Sequence, residues 1–273
     1  MADRPIGMFD SGFGGLTVAR AVIDLLPAED LVYIGDTGRY PYGPRPLAEV
    51  RQFARQIAWR LVKEHDVKLL VVACNTAAAA GLDDFATELP VPVVGVIEPG
   101  VRALVAATET GRVGVIGTVG TISSGAYQRA VDDTGATVDL TCAACPGFVE
   151  FVERGETAGD EVTVLAERLL APMQQADIDT LLLGCTHYPY LARVISDVMG
   201  RGVVLVSSAD ETAFEVAGLL DALDLRRRSA SDAGEHRWFS SGDVAWFADL
   251  GRRLLGPELA TAERCTFADP LET

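Results

Sequence analysis

VVACNTAAAAGL (71–82) and LLLGCTHYPYL (181–191) decide how this chain is read. Each opens on a short run of large apolar residues, passes a small residue, reaches a cysteine, and then turns through polar residues into a new element. Short runs that are apolar on both faces fit strands buried inside a parallel sheet. The offset between the two segments is about 110 residues, and a similar offset relates GMFDSGFGG (7–15) to GVIGTVGTI (114–122). The chain therefore reads as two related halves.

Working outward, further apolar runs fall at Ile6–Phe9, Leu31–Ile34, Leu69–Ala73, Val93–Ile97, Val113–Ile116, Leu181–Leu183 and Val203–Val206. Helical patterns separate them, most clearly at Leu16–Leu26, Leu47–Val62, Val162–Met173 and Thr212–Leu223. This alternation predicts an α/β fold of two pseudo-symmetric, open parallel-sheet domains facing each other across a cleft. The first domain is expected over 1–97 plus 208–273 and the second over 98–207, with the crossing near Glu98-Pro99-Gly100. The stretch Arg226–Glu235 reads as a polar surface loop before a final strand and helix.

Ligands of open parallel sheets bind beyond the carboxyl ends of the strands. The residues there are distinctive: Asp10 and Ser11, Asp36 and Thr37, Cys74 with Asn75 and Thr76, Thr118, and Cys185 with Thr186 and His187. A single cysteine at a strand end is most often a small buried hydrophobe. Two at matched places in a repeat, each followed by polar residues, point instead to paired chemistry. Asp10 and Ser11 also suit the start of the helix beyond them. His187 reads equally as a packed strand-end histidine or as a proton-transfer group beside Cys185.

The glycines of GFGG (12–15) do not complete a dinucleotide fingerprint, because Thr17 occupies the third glycine position. They are expected to form a tight turn whose N–H groups hold a carboxylate. Cys142 and Cys145 have the spacing of half a zinc site, but no second ligand pair accompanies them and only three histidines exist. No metal site is expected. His65 and His236 sit in polar contexts and are expected to be solvated, while Cys265 is expected in a C-terminal strand. Pyridoxal chemistry needs a lysine, and only Lys63 and Lys68 are present. Lys63 lies on a polar helix, and Lys68 starts the strand that ends at Cys74, about 20 Å away at strand rise. Pyridoxal catalysis is therefore not expected.

The 273 residues are 49% hydrophobic and 23% charged, the balance of a folded globular chain. A net charge of −16 disfavours direct binding of nucleic acid or an anionic membrane. It also repels a dianionic substrate, which would need local donors. Five cysteines, an odd number, argue against a disulfide framework. The opening residues lack a long apolar core, and the apolar stretch from Leu69 to Leu82 is too short to span a bilayer. A soluble cytoplasmic protein is expected. A protein that merely binds an amino acid or restrains a partner would have no need of matched thiols.

Seven segments together resemble bacterial glutamate racemases of the aspartate/glutamate racemase superfamily. They are IGMFDSGFGGLTV, YIGDTGRYPYG, VVACNTAAA, VIEPG, GVIGTVGT, CPGFVEFVE and LLLGCTHYPYL, spread from residue 6 to 191. The resemblance implies that Cys74 and Cys185 are the catalytic thiols, with Asp10 assisting Cys74 and with Glu153 and His187 assisting Cys185. It implies substrate contacts from Asp10, Ser11, Tyr42, Gly43, Asn75, Thr76, Thr186 and His187. It further implies glutamate as substrate, no cofactor, a homodimer, and a role in supplying D-glutamate for peptidoglycan. Some relatives inhibit DNA gyrase, which this acidic chain could do only through protein contacts. Glutamate in place of aspartate rests on the resemblance alone.

Overall fold

The computed structural model describes residues 2–227 and 233–267. The strands are β1 (Ile6–Asp10), β2 (Leu31–Gly35), β3 (Leu69–Val72), β4 (Val93–Gly95), β5 (Arg112–Gly117), β6 (Asp139–Ala144), β7 (Thr180–Gly184), β8 (Val204–Ser207), β9 (His236–Ser240) and β10 (Glu263–Arg264). The helices are α1 (Leu16–Leu25), α2 (Leu47–His65), α3 (Asn75–Ala79), α4 (Leu82–Glu88), α5 (Ile97–Ala107), α6 (Val119–Ser123), α7 (Ala126–Asp133), α8 (Phe148–Arg154), α9 (Asp160–Gln175), α10 (Ala192–Met199), α11 (Ser208–Ala222) and α12 (Val244–Leu255).

Two sheets form, with strand orders β10-β9-β2-β1-β3-β4 and β6-β5-β7-β8. Every pairing in both is parallel. The expected architecture of two parallel-sheet α/β domains is what the chain adopts. The order 2-1-3-4 in the first sheet reappears as 6-5-7-8 in the second. By position β1 corresponds to β5, and β3 to β7. Each sheet thus has a switch point where successive crossovers leave in opposite directions, between β1 and β3 in one and between β5 and β7 in the other.

β1, β2, β3 and β7 are buried along their whole length, which is why their sequences are unbroken apolar runs. One apolar core, including Met8, Phe9, Ile34 and Val72, fills the first sheet's surroundings. A second, including Phe148, Leu170, Met173 and Leu181, lies under the other sheet. α11 packs on α1 and on α5, so it joins elements of both halves.

Several expectations need correction. The run Val93–Ile97 is not a strand throughout: β4 stops at Gly95 and Ile97 opens α5. Pro99, within the first turn of that helix, has no N–H to offer a ladder and fits a helix start. β6 was not anticipated, because DLTCAA is a half-buried edge strand and carries no continuous apolar run. His65 and His236 are half-buried, His65 against the Phe239 ring at 4.8 Å and His236 beside Trp238 at 6.3 Å. Burial holds both below the usual histidine range. Cys265 lies one residue beyond β10 and donates its N–H to Ser240. Of the stretch Arg226–Glu235, residues 228–232 lie outside the described residues. Its described ends are held to Asp30 by the Arg227 guanidinium (2.6 Å) and the Glu235 N–H (2.7 Å).

Candidate active site

Cys74 follows β3 and caps α3, its sulfur accepting the Ala77 N–H at 3.5 Å. Burial pushes its thiol well above the usual cysteine range, and the nearby charge of Asp10 pushes it further. Asp10 is the last residue of β1, the strand beside β3. One of its oxygens accepts the N–H groups of Gly12 and Gly15, both at 3.1 Å. The glycine turn therefore does hold a carboxylate, but it is that of Asp10. The second oxygen, Oδ1, is buried without a partner.

Cys185 follows β7, the counterpart of β3. Its sulfur is 3.8 Å from His187 Nδ1, and His187 Nε2 is 3.2 Å from Glu153 Oε1. Glu153 comes from α8, which packs against the turn that follows His187. Burial alone would lower the His187 pKa, but the bonds to Cys185 and Glu153 and the charges of Cys185 and Asp10 outweigh it and raise it to about 10. His187 is thus an imidazolium at neutral pH, stacked between a sulfur and a carboxylate.

The two cysteines line one pocket between the halves. Asp10, Ser11, Tyr42, Gly43, Asn75 and Thr76 line it from the first half, and Thr186 and His187 line it from the second. Glu153 stands behind His187 and does not line the pocket. The Tyr42 hydroxyl is turned away and donates to Asp36, which also binds Arg39 and Ser241. Tyr42 can therefore offer a ligand its backbone and ring but not its phenol.

The halves meet closely around this pocket. Asn75 Nδ2 donates to the Tyr127 hydroxyl at 2.8 Å, leaving Asn75 Oδ1 buried and unpartnered. Thr76, Thr118 and Thr121 form a triangle of hydroxyls with sides of 3.0, 3.1 and 2.9 Å. The Gly43 carbonyl accepts the Gly120 N–H. At Gly14 a Cβ would lie 2.3 Å from Thr186 Oγ1 and 2.4 Å from His187 Nδ1, so only glycine lets the halves approach there.

Sequence reasoning missed Tyr40, Thr121, Tyr127, Cys145 and Glu150. Thr118 had a signal, since it follows β5 as Ser11 follows β1, but it was not placed among the substrate contacts. Thr121 lies in the repeat segment GVIGTVGTI, and Tyr40, Cys145 and Glu150 lie in segments that carry the resemblance, but no local pattern marked their side chains; Tyr127 lies in none of these segments. Cys145 shares the pocket wall, and its thiol is pushed up to about 12 by burial first and the Cys185 charge second. Cys142 sits half-buried on β6. Among the described residues, no three His, Cys, Asp or Glu side chains are grouped to hold a metal ion, and no helix is long and apolar enough to cross a membrane. Lys63 lies exposed over the Trp59 ring, and Lys68 is buried against Glu29, both away from the pocket.

Two parallel-sheet domains that close on a pocket bearing one strand-end thiol from each define a class of isomerase, the amino-acid racemases. Residues 13–216 match the Asp/Glu/Hydantoin racemase family, and the chain belongs to that family. It is 54% identical over 270 residues to the glutamate racemase of Parafrankia sp., with 99% of this chain and 97% of that one covered. Among solved structures it is similar to glutamate racemase isoform RacE1 from Bacillus anthracis, with a TM-score of 0.91, 41% identity and 99% of each chain covered. The glutamate racemase of Francisella tularensis in complex with D-glutamate gives a TM-score of 0.90 at 32% identity, covering 97% of this chain and 98% of that one.

Proposed function

We propose that this enzyme interconverts L- and D-glutamate by passing a proton between Cys185 and Cys74, without a cofactor. The observation that carries this reading is the placement of the two thiols at equivalent strand ends in one pocket, each with its own charged neighbour. Inversion at Cα needs an acid and a base on opposite faces, since one base alone returns the proton to the side it left. Burial and Asp10 keep Cys74 as the thiol, so it enters as the acid. Cys185, facing the protonated His187, enters as the thiolate base when the substrate is the L-enantiomer. The Cα–H bond breaks toward Cys185, and the carbanion takes the Cys74 proton on its other face. Cys185 is then a thiol and Cys74 a thiolate, which the Ala77 and Ser11 N–H groups face. From that state the same steps run backward on D-glutamate.

The pocket supplies what a dicarboxylic amino acid needs inside a protein of net charge −16. Asp10 Oδ1 and Asn75 Oδ1 are unspent acceptors for an ammonium group. The threonine hydroxyls of residues 76, 118 and 186 line the pocket as donors for carboxylates, and donors at the α-carboxylate stabilise the carbanion. The family resemblance supports glutamate over aspartate, a homodimer in the cytoplasm, and a supply of D-glutamate to peptidoglycan.

Isotope exchange in heavy water tests the mechanism. Cys74→Ala and Cys185→Ala are each expected to abolish racemisation followed by circular dichroism. Cys185→Ala should still label D-glutamate at Cα with retention, and Cys74→Ala should label L-glutamate. A single alanine variant that inverts glutamate at near the parent rate would refute the two-thiol reading. A higher kcat/KM for L-aspartate than for L-glutamate would refute the substrate.

A further inference from the structure

Tyr40 is carried by the loop between β2 and α2, in the first half of the molecule, yet its side chain reaches the second half. Its ring packs on Gly12, where a Cβ would lie 3.3 Å from the Tyr40 ring edge. The same ring is 6.5 Å from the His187 ring. Its hydroxyl is buried and interacts with the Glu153 carboxylate, although the pair falls short of ordinary hydrogen-bond geometry. A buried phenol is costly unless it is satisfied, and Glu153 is the acceptor at hand. The ionisable groups that face it are Glu153, Glu150 and Cys185. Glu153 is the carboxylate that holds His187 Nε2.

We propose that Tyr40 is a positioning residue: its hydroxyl donates to Glu153 across the cleft, fixing the carboxylate that orients His187 against Cys185. This rests on the proposed role of Cys185 in proton transfer. The bond runs between the two halves, so it ties proton-transfer geometry to their approach. Only one oxygen of Glu153 is needed for His187, which leaves the carboxylate able to accept from Tyr40 as well. The groups that set the charge on His187 are then Cys185, Glu153 and Asp10, with Tyr40 deciding where Glu153 stands. Without the hydroxyl, Glu153 is free to turn to water, and the imidazolium loses part of its counter-charge.

The test compares the full chain with Tyr40→Phe, Glu153→Gln and the double variant. The Phe variant keeps the ring on Gly12 and removes one atom. The substrate-free titration of His187, read from the NMR signals of its ring nitrogens, is expected to move to lower pH in Tyr40→Phe. Its kcat/KM is expected to fall by about tenfold, the scale of one hydrogen bond to a charged group. The fall should be equal in both directions, because the two enantiomers are isoenergetic. Added to Glu153→Gln, the Tyr40 substitution is expected to cost no further activity. A His187 titration that stays or rises, or a full extra loss on Glu153→Gln, overturns the proposal. Failure of the underlying reading is told apart, since a Cys185→Ala variant that still racemises would reveal it whatever Tyr40 does.

Discussion

Replacing Gly14 with alanine places a methyl group where the two halves touch. The added carbon would meet Thr186 Oγ1 at 2.3 Å, His187 Nδ1 at 2.4 Å and His187 Cε1 at 2.7 Å. Ordinary contact begins near 3.4 Å, so the nearest atom must give way by 3.4 − 2.3 = 1.1 Å. Neither neighbour yields freely. Thr186 Oγ1 is one bond from its Cβ, and the His187 ring is tied at both nitrogens, to Cys185 and to Glu153. The strain is relieved by spreading the cleft, which moves His187 and Cys185 away from the first half. A misplacement of about 1 Å at reacting groups costs on the order of 100-fold in rate. Overpacking of this kind lowers folding stability by only about 1–3 kcal/mol. The expected result is therefore a folded protein whose kcat/KM, measured from the circular dichroism of glutamate, falls by about two orders of magnitude, while its urea unfolding curve shifts modestly. A variant within about threefold of the parent would refute the claim that this approach sets the catalytic geometry.

Two further perturbations separate catalysis from stability. His187 titrates at about 10 when folded against an ordinary value of 6.5. Because the folded value is raised, the stability it contributes is complete below about pH 6.5 and is lost as pH climbs toward 10. Urea unfolding of the parent and of His187→Asn should show a margin that shrinks across that window, and a margin independent of pH would contradict the assignment. Lys68 and Glu29 form a fully buried pair at the end of the first sheet remote from the pocket. Lys68→Met, which leaves Glu29 unpaired, is expected to cost about 3–5 kcal/mol by urea unfolding, and the double replacement with Glu29→Leu should recover much of it. Racemisation by the folded fraction should be unchanged in both, and a loss of turnover there would tie the pair to the chemistry.

The parts of this molecule that were legible in the sequence are those whose surroundings are uniform. β1, β3, β5 and β7 are packed on both faces or nearly so, and such strands can only be apolar runs. Their carboxyl ends then had to carry the chemistry, which is how Asp10, Cys74 and Cys185 stood out. β6 escaped because it is a half-buried edge strand, and DLTCAA carries no continuous apolar run. Tyr127 and Thr121 escaped for another reason: each matters through a partner from the other half, Asn75 in one case and Thr76 in the other. Lys68 shows the same limit. Its position at a strand start was readable, but its burial against Glu29, 39 residues away, depends on a contact that no local pattern encodes.

In the two-thiol mechanism proposed above, the correspondence between the halves bears on how the two thiols take opposite roles. Equivalent strands put Cys74 and Cys185 in equivalent places, and an exact repeat would give them the same protonation state. Two neutral thiols would lack a base, and two thiolates would lack an acid. The repeat is broken where it matters. The position beside Cys74 at the end of β1 is Asp10, while the matching position at the end of β5 is Gly117, followed by the uncharged Thr118. The charge beside Cys185 comes instead from His187, two residues further along, with Glu153 behind it. Cys74 thus lies against an anion and Cys185 against a cation. Under the proposed mechanism the fold supplies two faces, and the unequal neighbours start one of them as the proton donor and the other as the acceptor.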